Sequence, residues 1–180
     1  VPGYEALPGV AQELTEISSI MGGDKFLNEE FSLGEVSKKL VVGGYSIVHF
    51  ATHGVFADQY TDSYLLTYDG KLTLGRLQNT VGKRRYLDKP LELMVLSACE
   101  TAVGNDKAAL GLAGVALKAG AKAAIASLWL ISDEGTTRLM TQFYKELAEG
   151  KTKAEALQAA QLDLVSDQVY SHPNFWSPFL

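Results

Sequence analysis

An α/β sandwich built on a mainly parallel sheet is the fold class this sequence predicts. Two observations carry it. Short runs rich in β-branched and aromatic residues alternate with amphipathic helical segments. The segment between consecutive strands is also long enough for a right-handed crossover. With 180 residues, 47% of them hydrophobic and 21% charged, one globular domain spanning 1–180 is expected.

The elements follow in order. Val10, Leu14, Ile17 and Met21 fall at helical spacing, and Gly22-Gly23 ends that run. Ser32-Leu33-Gly34-Glu35 reads as a capping box opening a helix with Val36 and Leu40 on one face. After Gly43-Gly44, the run Tyr45–Ala51 reads as a buried strand. Tyr64–Tyr68 and Lys71–Leu74 flank Asp69-Gly70, a hairpin signal, with a short helix over Leu74–Asn79 behind it. Leu91–Ala98 is a second buried strand, with Cys99 at its end. A loop through Gly104-Asn105-Asp106 leads to a helix carrying Leu110, Ala113 and Leu117, closed by Gly120. Lys122–Trp129 is a third strand. Leu139, Met140, Phe143, Tyr144 and Leu147 mark the next helix, and Thr152–Glu155 is a capping box opening another. The final residues, Asn174–Leu180, read as a strand entering the sheet.

Charge and composition narrow the function. A net charge of −5 and a pI near 5.2 argue against a nucleic-acid or acidic-membrane surface. No apolar run approaches the roughly 20 residues needed to span a bilayer. The single cysteine, Cys99, excludes an internal disulfide and fits a reducing cytoplasm. The chain opens on Val1, which suggests a piece of a longer protein.

The chemistry concentrates in "IVHFATHG" and "LSACE". His49 lies inside a strand and His53 just past it, so the helical two-histidine zinc geometry does not apply, and neither a metal nor a cofactor is expected. In parallel α/β sheets the functional crevice lies beyond the C-terminal ends of the strands. His53 and Cys99 both follow such ends and are 46 residues apart in sequence (99 − 53). A free thiol is mostly protonated at neutral pH, whereas an imidazole takes up or shares its proton and later protonates a leaving amine. His53 as base and Cys99 as nucleophile form the candidate catalytic dyad. Gly54, lacking a Cβ, lets a carbonyl approach its N–H, which with the N–H of Cys99 makes a candidate oxyanion pair. The bland reading stands beside this one: a lone cysteine at a strand end is most often inert packing. His172, before Pro173, reads as structural.

"IVHFATHGVF", "LMVLSACETAVG", "GLAGVALKAGAKAAIASLWLISDEGT" and "HPNFWSPF", in that order, resemble the CHAT domain family, relatives of caspases and separases. The resemblance covers nearly the whole chain. It implies a caspase-like three-layer α/β/α sandwich and a cysteine endopeptidase with His53 as base and Cys99 as nucleophile. It also implies an extended protein substrate pairing with the stretch Ser127–Asp133, with Ser97 lining the P1 pocket and Trp129 walling it. Separases hold a basic P1 side chain with an acid shortly after the Leu-Trp segment. The ungapped position here is Thr137, with Asp133 and Glu134 beside it, so Asp133 is a candidate only. Family members commonly follow tetratricopeptide repeats, and in prokaryotes often act as sensor-switched protease effectors. The resemblance therefore implies an upstream repeat or sensor region as partner, and an isolated domain with little basal activity. The alternatives are a catalytically silent caspase-like interaction module and a nucleotide-binding α/β domain. The latter is disfavoured because no phosphate-binding glycine motif follows a strand.

Overall fold

The computed structural model describes residues 3–56, 62–82, 91–97, 100–101, 113–114, 116–118, 120–129 and 132–180. They divide into two compact units, 1–4 with 26–130 and 180, and 5–25 with 131–179.

The first unit holds two sheets. β1 (Ile47–Phe50), β5 (Leu93–Leu96) and β7 (Ala124–Ala126) form a parallel sheet in the order β1-β5-β7. β2 (Gly54–Phe56), β3 (Tyr64–Leu66), β4 (Lys71–Thr73) and β6 (Glu100–Thr101) form a second in the order β4-β3-β2-β6. Within it, β2 runs antiparallel to β3 and parallel to β6. Along the chain, helices α2 (Leu33–Val42) and α3 (Leu74–Gly82) flank the run β1–β4, and helical residues within 113–118 precede β7; α1 (Gly9–Met21) belongs to the second unit. β5 is buried at every position, on both faces, as a central parallel strand should be. The arrangement is mixed α/β and compatible with a caspase-like α/β/α fold.

Period-2 alternation explains which side chains face the unit's core. Val48 and Phe50 of β1, Met94 and Leu96 of β5, and Ala124 and Ala126 of β7 pack with Val36 and Leu40 of α2 and Leu74, Leu77 and Val81 of α3. Ile47, His49, Leu93 and Val95 fall on the opposite face. α2 starts where expected, with the Ser32 hydroxyl accepting from the Glu35 N–H at 3.3 Å.

The strands are shorter than the apolar runs that announced them. Tyr45–Ala51 narrows to Ile47–Phe50, Leu91–Ala98 to Leu93–Leu96, and Lys122–Trp129 to Ala124–Ala126. Backbone bonds extend a little beyond these bounds, from Glu92 N to the Ser46 carbonyl, Ser97 N to the Phe50 carbonyl and Lys122 N to the Leu91 carbonyl, but the apolar runs extend further still. Thr67 N donates to the Gly70 carbonyl at 2.8 Å, which carries the β3–β4 register on to that pair and leaves Tyr68-Asp69 as the turn, one residue before the expected Asp69-Gly70, while Asp69 accepts from Leu33 N. Val55–Phe56 and Glu100–Thr101, to which the sequence assigns no strand, belong to β2 and β6. Residues 57–61 and 102–112, including Leu110 and the Gly104-Asn105-Asp106 turn, lie outside the described residues.

The second unit contains α1, α4 (Asp133–Ala148), α5 (Lys153–Val165) and α6 (Pro173–Trp176). Leu139, Met140, Phe143 and Tyr144 of α4 are buried, as are Ala156, Ala160 and Leu164 of α5. Thr152 and Glu155 form the reciprocal capping box at the start of α5. The end of the chain departs from expectation. Residues 173–176 are one helical turn, because Pro173 occupies the first helical position and His172 caps it, its Nδ1 accepting from Asn174 N at 3.2 Å. Only at Leu180 does the chain meet a strand: Leu180 and Ala126 exchange two backbone hydrogen bonds of 3.1 Å each. His172 thus has the structural role expected of it.

Candidate functional site

Two chain segments leave the parallel sheet side by side. Phe50, the last residue of β1, pairs with Leu96, the last of β5, and Ser97 N donates to the Phe50 carbonyl at 3.0 Å. Ala51, Thr52 and His53 then separate β1 from β2, as Ser97, Ala98 and Cys99 separate β5 from β6. The two segments pair again at once, in parallel, with Val55 opposite Glu100 and Phe56 opposite Thr101. Each connecting segment is therefore bracketed by a parallel ladder at both ends.

His53 sits immediately before β2 and is half-buried. Its carbonyl accepts from Leu66 N at 2.8 Å, and the preceding Thr52 hydroxyl donates to the Leu66 carbonyl at 2.7 Å. Strand β3 thus fixes the backbone that carries the imidazole. The ring of Tyr4 lies against that of His53, with centroids 5.1 Å apart and planes inclined by 42°. The Tyr4 hydroxyl is 2.7 Å from the Tyr64 hydroxyl on β3.

The orientation of Gly54 follows from peptide geometry. The bond from His53 to Gly54 is trans, so its N–H points opposite to its C=O. The C=O is directed at Leu66 of β3, so the Gly54 N–H points away from β3, toward the side of β2 on which β6 runs. Gly54 is buried.

Ser97 and His49 meet. By alternation both point to the same face of the parallel sheet, and His49 Nε2 lies 3.0 Å from Ser97 Oγ. Ser97 donates its proton to the Phe50 carbonyl at 3.3 Å, which leaves its oxygen to accept from a His49 Nε2–H. The sequence reading placed His49 in the buried strand but missed this bond. Its signal was present in the parity of 93, 95 and 97 against 47 and 49, readable once the β1–β5 register is known.

The remaining candidates are distributed. Trp129 is half-buried with its Nε1 inaccessible, and among the described residues no group accepts from it. Asp133 belongs to the second unit and opens α4, where its Oδ2 accepts from Gly9 N, at the first residue of α1, at 2.7 Å. One carboxylate thus serves the positive ends of two helices. Thr137, the ungapped counterpart of the separase acid, is buried and donates to the Gly9 carbonyl at 3.4 Å. Cys99 lies outside the described residues. Among the described residues no group of three His, Cys, Asp or Glu side chains suits a metal ion, and no helix is long and apolar enough to cross a membrane.

A search of curated proteins found no match. The family model described as "CHAT domain" matches residues 2–180, almost the entire chain. The parallel pairings of β1 with β5 and of β2 with β6 accompany that match, and the chain belongs to the CHAT domain family, a caspase-like family related to cysteine peptidases.

Proposed function

We propose that this chain is a cysteine endopeptidase in which His53 activates Cys99 for attack on a peptide carbonyl. The observation that carries the reading is the parallel pairing of β2 with β6. β2 begins one residue after His53 and β6 one residue after Cys99. Consecutive Cα atoms are about 3.8 Å apart and neighbouring strands about 4.8 Å apart. A parallel register that sets the residues following His53 and Cys99 side by side supports their acting as one dyad. The Gly54 N–H, turned toward the β6 side, supports its role in an oxyanion hole completed by the Cys99 N–H. Ser97, at the end of β5, and Trp129, after β7, support a P1 pocket beside the nucleophile.

The catalytic cycle uses this chain's own groups. His53 takes the Cys99 proton, and the thiolate attacks the scissile carbonyl. The oxyanion is held by the two N–H groups, and the imidazolium returns the proton to the leaving amine. Water then attacks the thioester with His53 as base, regenerating the thiol and releasing the acid. We further propose cytoplasmic action as a regulated effector, switched on by an upstream repeat or sensor region.

An acyloxymethyl ketone peptide tests the reading. It should label the activated protein once, at Cys99. Cys99→Ala should abolish labelling, and His53→Ala should lower peptide turnover by 100-fold or more. Labelling that survives Cys99→Ala overturns the proposal. Full turnover in well-folded His53→Ala does the same. Comparing the 180 residues alone with a longer chain and its stimulus tests regulation. Equal turnover leaves a constitutive protease. In a peptide library, an unchanged P1 preference in Asp133→Asn removes Asp133 from the pocket.

A further inference from the structure

We infer that Tyr4, anchored by Tyr64, is a positioning residue for the His53 imidazole, an inference that rests on the dyad reading above. The Tyr4 ring packs on the His53 ring at 5.1 Å, and its hydroxyl is held 2.7 Å from that of Tyr64. Tyr64 is itself fixed in the middle of a three-strand ladder, opposite Val55 of β2 and Thr73 of β4. The Lys71 ammonium lies 4.2 Å over its ring, which adds a cation–π contact.

The geometry gives this contact a purpose. The direction of an imidazole is set by two side-chain torsions, and a general base must present one nitrogen to a thiol within a few tenths of an ångström. The His53 backbone is already set by β3 through the Leu66 N–H. Tyr4 narrows the torsional freedom of the ring by walling one side of it. The wall is referenced to the same strand through Tyr64, so backbone and ring of His53 share one template. Tyr4 neither gives nor takes a proton in the reaction; it acts through its contact with the His53 ring.

Steady-state kinetics and NMR test this in the activated protein. Tyr4→Ala should lower kcat about tenfold with KM unchanged, because the loss is of alignment and not of substrate binding. Tyr4→Phe should recover most of that loss by restoring the wall. Tyr64→Phe should match Tyr4→Phe, and the double variant should be no worse than either, since both remove one hydroxyl pair. Should Tyr4→Ala fail to fold, the Phe variants decide: an equal, non-additive drop supports the proposal, and unaltered kcat in all of them overturns it. Unaltered or raised kcat in folded Tyr4→Ala also overturns it, while His53→Ala inactivity keeps the dyad reading intact. NMR gives an arm independent of turnover. Side-chain couplings of His53 should report one rotamer in the native protein and averaging in Tyr4→Ala. A single rotamer retained in Tyr4→Ala overturns the inference whether or not the protein cleaves peptides.

Discussion

His49 and His53 stand four residues apart and answer to different neighbours. His49 reaches across the sheet to Ser97 at 3.0 Å, and the Ser97 hydroxyl donates a hydrogen bond to the carbonyl of Phe50. The three groups close the end of β1 against the end of β5, where the chain departs toward His53. A hydrogen bond of this type contributes about 1 kcal/mol net, and leaving one partner unmatched costs about 1–3 kcal/mol. His49→Leu and Ser97→Ala should each lower the urea midpoint, and the double variant should cost less than the sum. A double-mutant cycle should return a coupling of about 1 kcal/mol. Additive losses would show that the pair is geometrically close but energetically idle. His53→Ala should lower the midpoint less: both residues are half-buried, but His53 lies beyond β1 whereas His49 ties β1 to the end of β5 through Ser97. The separate placement of these histidines was legible in the sequence: the seven-residue run Tyr45–Ala51 after Gly43-Gly44, rich in β-branched and aromatic residues, placed one inside a strand and one beyond it. The partnership of His49 with Ser97 was not, since it needs the register of two strands that are 46 residues apart (93 − 47).

At the scale of elements, local signals predicted starts better than ends. The Ser32 and Thr152 caps were readable because a side-chain oxygen meets a backbone N–H within the same turn. Strand ends depend on a partner elsewhere in the chain, so each apolar run overestimated its strand. The final segment misled for a related reason: Phe175, Trp176 and Phe179 have strand-forming side chains, but His172-Pro173 imposes a helical turn first. Thr152→Ala should cost about 1 kcal/mol by removing both halves of the capping box. Gly43, which follows α2, is a sharper case. A Cβ there would stand 2.0 Å from the Tyr45 ring and 2.6 Å from the Lys39 carbonyl oxygen. The tyrosine can swing away, but the carbonyl accepts the Gly43 N–H at 2.8 Å and is part of the helix end. Gly43→Ala should therefore destabilise by about 1–3 kcal/mol, against the usual gain from replacing glycine in unstrained backbone. A midpoint equal to or above that of the native chain would show that α2 can shift to admit the methyl group.

Across the molecule, titration sets the pH range in which the fold is stable. On the acid side several carboxyls are held below their ordinary range. Glu16 is lowered first by the Thr141 hydroxyl bond and then by Gln12, Asp69 first by the Leu33 N–H, and Asp167 first by the Val169 N–H and then by that of Tyr170. Their contributions are present above the unfolded values, near pH 4, and are lost as pH falls through the folded ones. The alkaline side is set more sharply. Tyr144 is 1% exposed in the core of the second unit, and burial, followed by repulsion from Glu13, raises its phenol beyond the ordinary tyrosine range. The unfolded chain releases that proton near pH 10 and the folded chain holds it. Its contribution is full below pH 10 and is lost as pH rises toward the folded value, because only the unfolded state then gains by ionising. Lys151, raised first by its hydrogen bond to Glu146, adds to the same limb, but from a half-exposed position that solvent screens. Tyr144→Phe keeps the ring and removes the titrating hydroxyl. Whatever offset it produces at pH 7, the fall in urea midpoint between pH 9 and pH 11 should be shallower in Tyr144→Phe than in the native chain. Lys151→Gln should change that slope far less. Parallel alkaline limbs for native and Tyr144→Phe proteins would mean that the phenol ionises without unfolding, and that the core around Tyr144 admits a charge.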